Sequence, residues 1–348
     1  MERIPPAFYR MIYDRSDVMK ARKGIWAVLA GVTGSAAMMT ALIYRQVFVC
    51  PKKRPEQVKF PSGSQYQPYK EQAEELREKI RELPYEEVSV RSQDGLKLYG
   101  KYYEQKPGAP LEILFHGYHG AAERDFCGGF WLAREAGHNV ILVDERGHGK
   151  SEGRVLSFGI KEQYDCLEWT KYATERFGED TKIVLGGISM GAAIVLLAAG
   201  LDLPNTVKGI LADCGYTSPK EIVQKVSGDR GLPVKIMYPL ARLGAKLFGH
   251  FDLEDGNTEE ALRKCKVPVL FIHGEDDRLV PCEMSRRNYE ACASEKMIFT
   301  VPEAGHTLSY MVDYEGYRET VSAFMKKIGC ETDRETDRET NRETERSE

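Results

Sequence analysis

The chain has 348 residues, enough for one large domain or two small ones with appendages. It is 42% hydrophobic and 29% charged with a formal net charge of -4, an ordinary globular balance. With no Arg/Lys stripe, that balance offers no electrostatic footprint for nucleic acid.

Residues 1–23 form a short basic segment. Gly24 to Tyr44 then runs for 21 residues without a charge, GIWAVLAGVTGSAAMMTALIY. As a helix it would be roughly 31 Å long, against a hydrocarbon core of ~30 Å. This predicts a single transmembrane anchor over 24–44. The rival readings are a buried core helix, usually shorter and with a polar face, and a cleaved signal peptide, whose apolar region is normally shorter and follows a shorter leader. Charge does not orient the span, because five basic side chains lie within 15 residues of each end. Ala27, Gly31 and Ser35, and again Ala30 and Gly34, are spaced four apart, a pattern compatible with a weak homodimer through the anchor.

Residues 45–83 read as a linker and lead-in. Pro51 to Pro68 is rich in Pro, Lys, Gln and Ser, and Tyr69 to Leu83 is a charged helix with Ala73, Leu76 and Ile80 on one side. From about residue 84 the pattern alternates. Glu87 to Arg91 and Leu96 to Tyr103 suggest a hairpin around Asp94-Gly95. LEILFHG (111–117), NVILVD (139–144), KIVLGG (182–187), VKGILAD (207–213), VPVLFIHG (267–274) and MIFTVP (297–302) are apolar runs suited to buried strands. FWLAREAG (130–137), KEQYDCLEWTKYATERFG (161–178) and YEGYRETVSAFMKKIG (314–329) read as helices between or after them. Such alternation predicts an α/β fold, a mostly parallel sheet covered by helices on both faces, with function at the carboxyl edge of the strands. Residues 331–348 repeat ETDR with small drift and no apolar side chain, so no packed structure is expected there.

The eight cysteines, Cys50, Cys127, Cys166, Cys214, Cys265, Cys282, Cys292 and Cys330, form no CxxC pair and have no His cluster beside them. Scattered reduced thiols are expected, with no metal or cofactor.

Chemistry concentrates where strands end. KIVLGG runs into Gly187-Ile188-Ser189-Met190-Gly191 and then the apolar helix AAIVLLAAG (192–200). This is G-x-S-x-G in the context it requires, strand, sharp turn and helix, which nominates Ser189 as a nucleophile. Serine needs a base to take its proton and a third group to orient that base. Glu275, Asp276 and Asp277 follow VPVLFIHG, and Gly305-His306 follows MIFTVP.

With these residues in the order Ser, Asp, His, the sequence resembles the α/β-hydrolase superfamily over about 84–330. HGEDDRLVP resembles its H-G-x-x-D-x-x-V-P signature, which implies Asp277 as the acid, with Asp276 the fallback. The terminal Gly-His match implies His306 as the base. His116-Gly117-Tyr118-His119-Gly120 resembles the H-G-x-x-G oxyanion loop, implying the backbone N–H of Tyr118 and of Met190 as oxyanion donors. His116 and His119 are then loop-bracing rather than metal ligands. DERGHGKSEG (144–153) is similar to a structural loop of the same enzymes, in which Ser151 is not a nucleophile.

ADCGYTSP (212–219) is similar to a stretch of membrane-anchored bacterial serine-aminopeptidase-like (S33-like) hydrolases. An inserted cap over about 215–263 carries Ile236, Met237, Leu240, Leu243, Leu247 and Phe248, which either line an acyl pocket or pack the cap onto the domain. The resemblance implies hydrolysis of an acyl ester or thioester. A serine peptidase acting on short peptides and a non-catalytic membrane scaffold are the alternatives. The analogy also implies a catalytic domain outside the cytoplasm, although unpaired cysteines lean the other way.

Overall fold

The structure, a computed structural model, describes residues 35–51 and 57–332. A helix over residues 35–48 (α1) opens it, followed by a 3-10 segment at Ser64–Tyr69 and α2 at Lys70–Glu82. Strands β1 (Glu86–Arg91) and β2 (Lys97–Tyr103) form the expected hairpin. Next come β3 (Leu111–Phe115), α3 (Gly129–Glu135), β4 (Asn139–Asp144), α4 (Glu162–Phe177), β5 (Ile183–Ile188) and α5 (Met190–Ala198). The chain continues with β6 (Val207–Asp213), α6 (Pro219–Asp229), α7 (Val234–Gly244), a π turn at Ala245–Gly249, and β7 (Val269–Gly274). It closes with α8 (Cys282–Ala291), β8 (Lys296–Val301) and α9 (Tyr314–Lys327).

The eight strands make one sheet in the order β1-β2-β4-β3-β5-β6-β7-β8, antiparallel at β1-β2-β4 and parallel from β4 onward. Alternate side chains of each central strand enter cores on opposite faces. Ile113, Ile141 and Phe271 join one with α4 and α5, whereas Leu114 and Leu142 join a second with α2 and α3, and Leu270 a third with α9. Because both faces are covered, these strands are apolar throughout rather than alternating. Pairing of Ile188 with Asp213 and of Gly274 with Val301 brings the ends of β5, β6, β7 and β8 to one edge.

Local chemistry sets the helix ends. α4 stops at Gly178, whose φ of 96° is costly for other residues. Ser218 caps α6 by accepting from the Glu221 N–H at 3.2 Å, with Pro219 in the first turn where its missing N–H costs nothing.

The expected membrane span at 24–44 falls partly outside the described residues, as do the proposed dimer face up to Gly34 and the tail beyond Thr332. Among the described residues no helix is long and apolar enough to cross a membrane. The boundary expected at Tyr44 is also shifted. α1 runs on to residue 48, and its Thr40, Ile43 and Phe48 are buried against the domain. Phe48 sits edge-on to Phe158 and Phe251 at 5.8 and 5.4 Å between ring centroids. Val49 then bridges Val155, and Cys50 N–H donates to the Arg154 carbonyl at 2.8 Å. All eight cysteines are buried, and none forms a disulfide.

Phe48 is fully buried and joins α1 to the core. Phe48→Ala is expected to cost about 3–5 kcal/mol through lost burial and the cavity left behind, read as a lower urea midpoint for the full chain.

Candidate active site

The turn after β5 is shaped by two close approaches. A Cβ on Gly187 would lie 2.3 Å from the Gly191 carbonyl oxygen, and one on Gly191 would lie 1.9 Å from that of Phe115. Only glycine lets strand and helix approach so closely. Between them Ser189 has φ 57° and ψ -113°, a sparsely populated conformation costing on the order of 1–3 kcal/mol. Its N–H donates to the Asp213 carbonyl at 2.8 Å, tying the turn to β6. The hydroxyl is thereby held out at the strand edge, half-buried.

There the Ser189 Oγ lies 2.9 Å from His306 Nε2, and His306 Nδ1 lies 2.6 Å from Asp277 Oδ2. The short contact to a carboxylate assigns the proton on this imidazole to Nδ1, which leaves Nε2 free to accept from serine. Asp277 is buried, whereas Glu275 and Asp276 are exposed. Its Oδ1 accepts from the N–H groups of Leu279 and Val280, both at 2.8 Å. Burial pushes its carboxyl up, but the hydrogen bonds from His273 and His306 outweigh that and hold it below the usual carboxylate range.

His273 is a contributor that sequence pattern missed. At the end of β7 its Nε2 is 3.3 Å from Asp277 Oδ2 and 2.8 Å from the Val280 carbonyl, while Nδ1 meets Ser285 Oγ at 2.6 Å. The H-G of HGEDD is the only signal that marked it.

The loop after β3 faces the same point. Gly117 N–H donates to Asp125 Oδ2 at 2.8 Å, and Gly120 N–H closes a turn on the Gly117 carbonyl. Tyr118 stacks between His119 and Phe158 at 4.0 and 5.3 Å, and its hydroxyl donates to the Val47 carbonyl at 2.8 Å. The last turn of α1 therefore braces this loop. Met190 opens α5, where a first-turn N–H has no acceptor within the helix.

Behind the loop, His116, Glu145 and His148 converge, with one potential ligand atom from each lying within 4.8 Å of the others. Both His116 nitrogens are already committed. Nδ1 meets the Gly117 carbonyl at 2.8 Å, and Nε2 accepts from Glu145 N–H at 3.4 Å. His148 Nδ1 meets the Arg146 carbonyl at 3.2 Å, and burial pushes this imidazole well down, to neutral. Neither Glu145 carboxyl oxygen has a hydrogen-bond partner. Burial first, and then the charges of Glu162, Asp125 and Asp165, push that carboxyl well up. With both His116 nitrogens and His148 Nδ1 hydrogen-bonded to the backbone, the histidines of this group hold the loops after β3 and β4 together. Ser151 is likewise structural, accepting from Tyr99 N–H at 2.8 Å and donating to the Asp144 carbonyl.

A cavity of about 300 Å³ opens over Ser189 and His306. Its walls are Tyr118, Leu279, Leu308 and Met311 from the domain and Phe60, Tyr66 and Tyr69 from the lead-in. Tyr66 hydrogen-bonds Gln65 and Thr307, and its hydroxyl is pushed up to about 12 by burial first and then by the Asp277 charge. None of the six cap residues expected as pocket candidates lines this cavity. Met237 and Leu240 pack against the core, and Ile236, Leu243, Leu247 and Phe248 are exposed. The physical reason is occupancy. The lead-in is tied across the mouth by Arg124 and Arg77, which donate to the Lys59 and Val58 carbonyls at 3.1 and 3.0 Å.

Glu145 yields a pH test. Its folded pKa is raised, so above the ordinary range the unfolded chain binds fewer protons than the folded one, and stability falls as pH rises. Glu145→Gln is expected to remove a slope of up to about 1.4 kcal/mol per pH unit above pH ~5, measured as urea midpoints from pH 5 to 8.

Comparisons place this arrangement among known proteins. Residues 110–251 match the family model described as serine aminopeptidase, S33. The Bacillus subtilis protein YqkD is 28% identical over 203 residues, covering 58% of this chain and 67% of that one. An uncharacterized membrane protein of Saccharomyces cerevisiae is 26% identical, covering 72% and 82%. The fold matches the Pyrococcus furiosus esterase Pf2001 with a TM-score of 0.60 at 22% identity, over 80% of this chain and 98% of that one. The chain has the fold of the α/β-hydrolases, and its residues 110–251 resemble the serine aminopeptidase family, which together support a hydrolase.

Proposed function

We propose that the chain hydrolyses an acyl ester or thioester through a Ser189–His306–Asp277 triad. The observation that carries this reading is the continuous hydrogen-bonded relay from Asp277 through His306 to Ser189, opening onto the cavity. Ser189 Oγ attacks the acyl carbon while His306 Nε2 takes its proton. Asp277 stabilises the imidazolium, and the Tyr118 and Met190 N–H groups receive the developing oxyanion. The tetrahedral adduct collapses as His306 returns the proton to the leaving alcohol or thiol. Water, deprotonated by the same imidazole, then attacks the acyl-serine and restores the hydroxyl.

The cavity favours an acyl substrate over a peptide with a free amino terminus. Asp125 is the one acidic side chain among its lining residues, and both its oxygens are engaged, by Arg124 and by Gly117 N–H. No free carboxylate is left to receive an ammonium group. The remaining walls are largely aromatic and aliphatic, suited to an acyl chain. Membrane attachment through residues 24–44 belongs to the same reading, supported by the uncharged run and by the name of the yeast relative. Protease added to sealed vesicles reports which face carries the domain.

Ser189→Ala is expected to abolish fluorophosphonate labelling and ester hydrolysis while leaving the unfolding transition in place. Labelling of that variant at wild-type stoichiometry would move the nucleophile elsewhere. Asp277→Asn is expected to lower kcat by about 10⁴-fold through loss of the correct His306 tautomer. Asp276→Asn, at an exposed position, should leave kcat within a few fold, and a reversed order of the two effects would overturn the assignment.

A further inference from the structure

Most of the large hydrophobic side chains exposed among the described residues lie on α1 and the cap. Met38, Met39 and Leu42 on α1, and Ile236, Leu243 and Leu247 on the cap, are each between 45% and 68% exposed. On α7 and the π turn, Tyr238, Ala241 and Ala245 face the domain. Ile236, Pro239, Leu243 and Leu247 recur at intervals of three and four on another side and are exposed. A helix whose outer side met water would carry polar residues there. α1 behaves likewise, with Thr40, Ile43 and Phe48 inward and Met38 and Leu42 outward.

The two outer faces adjoin. α1 crosses the cap at Gly244, where a Cβ would lie 2.9 Å from Tyr44 Cβ and 3.2 Å from the Thr40 carbonyl oxygen. One turn on, the Tyr44 ring packs on Phe248 at 5.2 Å, and its hydroxyl donates to the Phe248 carbonyl at 3.1 Å. Leu243 and Leu247 thus flank the seam that α1 occupies.

We infer that this joint face of α1 and the cap is a second membrane contact, seated in the acyl region of the bilayer beside the anchor. What points to lipid is continuity. The uncharged sequence of residues 24–34 leads directly into α1 at the edge of the patch, so the stretch proposed to enter the bilayer does so there. Exposed Arg45 and Gln46 end the apolar part of α1, and exposed Lys235 sits beside Ile236. That is the placement expected of side chains reaching from an immersed face to the headgroups. The cap then holds the domain against the bilayer, in place of covering the site. This extends the proposed membrane attachment and does not depend on the proposed acyl chemistry.

The test uses the full chain in phosphatidylcholine vesicles containing a phosphatidylcholine with a diazirine on its acyl chain. After irradiation, lipid adducts are mapped by peptide mass spectrometry. Adducts are expected on residues 234–249 as well as on 24–44, with none around Tyr164 and Tyr314, which are exposed elsewhere. Leu243→Ser combined with Leu247→Ser should cut the 234–249 adducts about tenfold or more, since withdrawing one leucine from hydrocarbon is worth at least that. Adducts on 24–44 should persist, and retained fluorophosphonate labelling shows that the variant is folded. Adducts on 24–44 alone overturn the inference while leaving the anchor standing. Chain-to-chain cross-links through 234–249 in place of lipid adducts also overturn it, in favour of a second copy. Adducts on 234–249 and on 38–42 without any on 24–34 support it and remove the anchor.

Discussion

The contact between Gly191 and the Phe115 carbonyl is the constraint on which the rest of the site depends. With 1.9 Å available where a Cβ would stand, the start of α5 can lie against the end of β3 only if residue 191 has no side chain. That approach, with its counterpart at Gly187, bends the backbone so tightly that Ser189 is forced to positive φ. Strain of this kind persists only where surrounding structure fixes it. Here the fixing comes from an α5 buried along its whole length and from the Ser189 N–H bond to β6.

Placement of the other polar groups follows from the same sheet edge. Asp277 sits under protein and would be costly as an isolated charge. Two backbone N–H groups and two imidazoles surround it, so the charge is compensated by groups that also fix where His306 points. His273 belongs to this compensation as much as His306 does. Glu145 is the contrasting case, a carboxyl buried among histidines without a donor and therefore pushed towards its neutral form. Two buried acids near one site are thus pushed in opposite directions because one has donors and the other has none.

α1 links these features to the amino-terminal end. Its last turn receives the Tyr118 hydroxyl, its Phe48 fills the core, and its outer side continues the apolar face of the cap. The lead-in, arriving from the same direction, forms the wall of the cavity that the cap does not supply. What surrounds the candidate site is therefore set in part by residues that precede the sheet.

Much of this was legible in the sequence, and the limits have a physical cause. Gly187, Ser189 and Gly191 are a local motif, readable because a strained turn needs fixed spacing over five residues. The buried strands were readable because a strand covered on both faces must be apolar throughout. The choice of Asp277 came from a signature, and in the structure Asp276 is exposed whereas Asp277 is buried beside His306. Partners across the fold were not readable. The stripe Ile236, Leu243 and Leu247 is apolar whether it meets an acyl pocket, the domain or a bilayer, and periodicity carries no label for which. The uncharged run into α1 likewise conceals that Thr40, Ile43 and Phe48 face protein, because a buried side and a lipid-facing side have the same composition. His273 looked like an ordinary strand end until β7 and its following loop folded over Asp277. Spacing along the chain determined which residues can do chemistry here, and tertiary packing alone decided what encloses them, because enclosure joins segments far apart in sequence.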